Sequence, residues 1–180
     1  MLTRGPAARE RDEADARGVA RRWLPAAAWV AGGLALFWLL LRISLSGRID
    51  SDGANNTLQA WDLLHGHLLL HGWDIGDATF YFFELPLNAI TAAVFGLGNF
   101  AAHAASALTY LFVAVCAVAL AVTDSRGPAR VVRAAVVVTV LAAPLLTEQS
   151  VKTLLEEPDH IGTSVFILVA FLLVDQTARG

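Results

Sequence analysis

Hydrophobic positions fall into five stretches. Residues 23–41 run without a charge and close at Arg42. Residues 101–123 are also uncharged, with His103 as their one ionisable group. Residues 131–147 are apolar except for Arg133, and residues 161–174 reach spanning length once extended back to Pro158. The fifth stretch, 85–99, is punctuated by Pro86, Gly96 and Gly98. About 20 apolar helical residues cross the ~30 Å of bilayer hydrocarbon. The pattern therefore predicts an all-α polytopic membrane protein with four spans, at about 23–42, 101–123, 130–147 and 159–175.

Charge decides the fate of the fifth stretch. Arg4, Arg9, Arg11, Arg17, Arg21 and Arg22 precede the first span, and Arg126, Arg130 and Arg133 follow the second. Basic residues collect on the cytoplasmic side, so one crossing must separate the two groups after the first span. A crossing at 85–99 would break that parity. It is expected instead to lie at the outer surface, inside an outer loop covering 46–100. The expected topology is a multi-pass cell-membrane protein with both ends cytoplasmic, a disordered charged tail over 1–22 and a membrane domain over 23–180. The first span exceeds a signal-peptide core and lacks a small-residue cleavage site after it, which reads as an uncleaved anchor.

Composition agrees. Hydrophobic residues make up 56% and charged ones 16%, against about a quarter charged in soluble domains. Cys116 is the single cysteine, which excludes a disulfide framework, and a net charge of -3 gives no nucleic-acid footprint. Uncharged span centres argue against an ion pathway.

Both outer loops are net acidic. Loop one opens Arg48-Ile49-Asp50-Ser51-Asp52-Gly53. Its two carboxylates can serve as a general base or hold a divalent cation, and Asp52 equally suits the cap of the next helix. That helix, about 55–65, places Leu58, Trp61 and Leu64 on one side and Asn55, Gln59 and Asp62 on another. The polar side suits a sugar or water. His65, His67 and His71 lie too far apart in angle on a regular helix to converge on zinc, and read as interfacial residues; no metal site is expected. Phe80, Tyr81, Phe82 and Phe83 read as a membrane anchor before Glu84 and Pro86, which open the surface helix. Loop two ends Glu157-Pro158-Asp159-His160, an acid and a histidine at a helix start.

These motifs resemble those of the GT-C class of membrane glycosyltransferases. Asp50-Ser51-Asp52-Gly53-Ala54 matches the position of the acidic motif after their first span. The run from Gln59 to His67 (Gln-Ala-Trp-Asp-Leu-Leu-His-Gly-His) is similar to the helix that follows. Phe83-Glu84-Leu85-Pro86-Leu87 resembles the start of their second surface helix, Gly96-Leu97-Gly98 its end, and Glu157-Pro158-Asp159-His160 the second acidic cluster. The resemblance covers about 23–175. It implies inverting sugar transfer from a polyprenyl-phosphate donor at the outer face, with Asp52 as base and Asp50 as its alternative. Glu84, Asp159 and His160 would orient acceptor or donor phosphate, and a divalent cation is a possible cofactor. Members carry more than four spans, so this chain is expected to be such a glycosyltransferase or its N-terminal part, with catalysis by these 180 residues alone not expected. The other expectation is a non-catalytic four-helix partner of a larger membrane protein, packed through the alanines at 101–105.

Overall fold

The computed structural model describes residues 6–73, 81–156 and 161–179. Its helices are α1 (Pro6–Ser44), α2 (Ser51–Leu64), α3 (Glu84–Phe95), α4 (Asn99–Val122), α5 (Pro128–Ala142), α6 (Glu148–Val151) and α7 (Ile161–Arg179). A 3-10 turn, Ala143–Leu146, extends α5, and a π-helical turn, Lys152–Glu156, follows α6. Among the described residues there is no strand.

Four segments are long and apolar enough to cross a membrane: Trp23–Ser44, Asn99–Val122, Pro128–Leu146 and Ile161–Arg179. They fall where the apolar pattern puts the spans. At 12 residues α3 is about 18 Å long, well short of a crossing. Helical backbone begins at Pro6, where charge alternation suggests an unstructured leader; the Ala, Arg and Glu that fill it are strong helix formers.

The chain divides into two units, Met1–Leu36 and Phe37–Gly180. In the first, Trp23, Leu24, Val30 and Leu34 are all more than 60% exposed, the outward apolar surface of a lipid-facing helix. In the second, α4 is central: α3, α5 and α7 pack against it, and α2 packs on α3. Pro128 opens α5 at its first turn, where a missing N–H costs nothing. The Tyr110 hydroxyl donates to the Leu141 carbonyl at 2.7 Å, fastening α4 to α5.

The polarity of α2 and α3 is inverted relative to a water-soluble protein. On α3, Glu84, Asn88 and Thr91 point inward at 6, 7 and 2% exposure, while Ile90, Val94 and Phe95 are more than half exposed. On α2, Asn56, Thr57 and Gln59 are buried and Leu58 and Leu64 are exposed. Thr57 Oγ1 shares its proton between the Gly53 carbonyl and Asn88 Oδ1, both 2.9 Å away. Asn88 Nδ2 in turn donates to the Glu84 carbonyl. Polar groups satisfy each other inside and apolar ones face out, as hydrocarbon demands.

At the end of the second unit that holds the α4–α5 turn, the Arg179 guanidinium pairs with both Asp124 and Asp175. Its hydrogen bonds hold the Asp124 carboxyl below the usual carboxylate range. A depressed folded-state value means the tie is fully present above the ordinary value near ~4 and is lost as pH falls below it. Protection factors for amides at residues 124–130 and 175–179, corrected for the intrinsic exchange rate at each pH, are therefore expected to fall as pH drops below about 4, and Asp124→Asn should show the lower protection already at pH 7.

Candidate functional site

Loop one reaches the start of α7 at the opposite end of the second unit. Asp50 is the N-cap of α2: its Oδ1 accepts from the Gly53 N–H at 2.9 Å. The capping role open to Asp52 thus falls to Asp50, because a cap must sit three residues before the amide it satisfies. Asp52 stands in the first helical turn, exposed and without a hydrogen-bond or ion-pair partner among the described residues. The two carboxylates are therefore distinct: one is committed to structure, the other is free toward the outside of the helix end.

Glu84 faces inward. Its Oε1 accepts from the Gly162 N–H at 3.1 Å, in the first turn of α7. A carboxylate at a helix N-terminus satisfies an orphan donor and the helix dipole together. Gly162 is needed for this approach: a Cβ there would run into Glu84 Oε1 and lie 2.7 Å from its Cδ and 2.9 Å from Phe83 Cδ1. Phe83 adds edge contacts to Phe112 of α4 and Phe166 of α7, both at 5.7 Å. Loop one is thus clamped to the start of α7, beside the second acidic motif. Asp159 and His160 themselves lie outside the described residues, as do Phe80, Glu157 and Pro158. Phe82 is 80% exposed, in keeping with a membrane anchor, whereas Phe83 serves the clamp.

A second junction joins α1, α4 and the π-helical turn. Ser44 Oγ donates to the Leu155 carbonyl at 3.1 Å and lies 2.9 Å from His103 Nδ1. With its one proton spent on the carbonyl, Ser44 accepts from the ring, so Nδ1 carries the hydrogen. Ser44→Ala would leave a buried carbonyl and a buried ring N–H unpaired. A loss of about 1–3 kcal/mol is expected, read as a lower midpoint in thermal unfolding, with Ser44→Thr losing less.

The histidines do not assemble. His65 Nδ1 bonds the Trp61 carbonyl at 2.8 Å, and His67 lies 3.6 Å from Asp62. Asp62 instead accepts from the Trp73 indole at 2.8 Å, closing the α2–α3 connection over a small core of Ala60, Leu70 and Leu85. Leu70 adopts a φ of +46° there, a left-handed conformation costly for a side chain that branches, held by its burial. Among the described residues no group of three His, Cys, Asp or Glu is placed to hold a metal.

Sequence reasoning marks Asp52, Asp50 and Glu84. It misses Ser44 and Gly162, whose importance lies in contacts with distant helices. Set against protein-family models, curated proteins and solved structures, the chain matches none. The fold defines an all-α, multi-pass membrane protein whose α2–α3 hairpin buries polar side chains and is tied to the start of α7.

Proposed function

We propose that the protein is a GT-C-like glycosyltransferase, or the N-terminal part of one, acting at the outer face of the cell membrane with its N-terminus in the cytoplasm. The observation that carries this reading is the exposed carboxylate of Asp52, eight residues past the end of α1 and without a partner among the described residues. In the reaction, Asp52 takes the proton of an acceptor hydroxyl. The acceptor oxygen bonds to the anomeric carbon as that carbon's bond to phosphate breaks, the configuration inverts, and polyprenyl phosphate leaves with the bonding electrons. Arg-rich segments at the tail and the α4–α5 turn support the orientation.

The test is transfer of labelled sugar from a polyprenyl-phosphate donor to endogenous acceptor, in membranes containing the protein at its native length. Label should appear in an acceptor only when the protein is present. Equal labelling in membranes lacking it would sink the proposal.

A second reading is a non-catalytic partner subunit. The spans Trp23–Ser44, Pro128–Leu146 and Ile161–Arg179 each bury only 11% of their apolar window, against 44% for Asn99–Val122. That leaves surface for another protein's helices as well as for lipid. Co-purification of a larger membrane protein in stoichiometric amount, with Asp52 dispensable, would favour it.

A further inference from the structure

The loop that follows α2 is held in one shape by its own backbone. Gly66 and Gly72 bracket it at φ +91° and +92°, a left-handed conformation that glycine adopts without steric penalty. Inside the bracket the His67 N–H donates to the Asp62 carbonyl, the Leu70 N–H to the His67 carbonyl and the Trp73 N–H to the Leu70 carbonyl, each at 3.1 Å. The Trp73 indole closes the base of the loop on Asp62, and Leu70 is drawn into the small core at 2% exposure. What this frame holds outward is a pair of leucines. Leu68 is 68% exposed and Leu69 71%, at a turn where a loop in water carries polar residues. Residues 66–71 include no Asp, Glu, Lys or Arg.

The two leucines continue an apolar strip that starts on a span. Leu97 and Phe100 are exposed where α4 begins, and Leu97 lines one cavity with Leu58 of α2. From Leu58 the exposed apolar side of α2 runs through Leu64 into the loop. Trp61 and Trp73 stand half-buried at the base of the loop, and tryptophan is the side chain that gathers where hydrocarbon meets water. We propose that residues 66–71 are a lipid-inserting tip: Leu68 and Leu69 enter the adjoining leaflet of the bilayer and hold the α2–α3 hairpin down on the membrane. The occupant is lipid because the strip is continuous with the surface of a membrane span, and because a loop without charged side chains enters acyl chains without the desolvation that a charge would demand. A tip of this size reaches the upper acyl chains, about 5–10 Å into the headgroup boundary. Its frame is set before it inserts, so entry orders little that was free. The tip needs neither Asp52 nor a sugar, and stands apart from the transferase reading.

The test uses the full chain in lipid nanodiscs, with Cys116→Ala so that a cysteine introduced as Leu68→Cys or, separately, Leu69→Cys alone carries a nitrobenzoxadiazole label. Both positions are exposed, so the label displaces no core contact. Phospholipid brominated high on its acyl chains should quench each label severalfold more than phospholipid brominated near the chain ends, and aqueous iodide should barely reach either. Strong quenching by iodide with none from brominated lipid puts the tip in water and overturns the proposal. Shielding from both quenchers means that protein covers the tip, a second copy or another chain, and overturns it as well. In the chain labelled through Leu69→Cys, adding Leu68→Gln should raise iodide quenching severalfold. Unchanged shielding there would mean that the spans alone set the depth, and would count against the leucines as the inserting group.

Discussion

Asp52→Asn is expected to reduce sugar transfer by on the order of 10²–10⁴-fold, the usual contribution of a general base, with the protein's abundance in the membrane unchanged. The amide is nearly isosteric and cannot take a proton from an attacking hydroxyl. Asp52 is exposed and has no hydrogen-bond or ion-pair partner among the described residues, so the structural loss is limited to a favourable first-turn charge worth about 0.3–1 kcal/mol. Asp50→Asn should behave in the opposite way. Asparagine caps helices about as well as aspartate, so this variant keeps α2 and most of the activity. Asp50→Ala loses the bond to Gly53, costs about 0.5–2 kcal/mol, and lowers activity only as far as it frays the first turn carrying Asp52. Initial rates of labelled transfer, normalised to membrane protein, separate the two carboxylates. Equal and large losses in Asp50→Asn and Asp52→Asn would contradict the division of roles.

Gly162→Ala is expected to be the most damaging single-methyl change in the chain. The added carbon meets the Glu84 carboxylate and the Phe83 ring at once. Overpacking of this kind costs about 1–3 kcal/mol. Here it also displaces Oε1 from the Gly162 N–H, leaving a buried carboxylate short of its donor. The thermal midpoint should fall and proteolysis of the α2–α3 connection should speed up. Combining Gly162→Ala with Glu84→Ala should cost less than the two changes summed, since the second removes what the first collides with. Strict additivity would mean that the contact does not hold the loops together.

The span count and the shortness of the helix at 85–99 were legible in the sequence because each rests on local properties. Apolar run length, and a proline with two glycines, need no knowledge of the rest of the fold. What was not legible depended on direction. The alternation along α2 separates Leu58 and Leu64 from Gln59, but periodicity alone does not say which side faces in; a lipid environment reverses the usual answer. Asp50 and Asp52 are two residues apart, and only the helix start at Ser51 decides which of them caps. The π-helical turn whose Leu155 carbonyl reaches Ser44 has no sequence signature at all. Gly162 reads as an ordinary small residue until Glu84, 78 positions earlier, is placed against it.

That separation bears on how the molecule is made. A hairpin whose inward face is polar and whose outward face is Ile90, Val94 and Phe95 has no stable form in water, so α2 and α3 need lipid or the rest of the protein around them. Their neighbour α4 follows at once, whereas Gly162 is synthesised only after α5. Until then Glu84 lacks this donor, and the loop that carries Asp52 is not yet tied to α7.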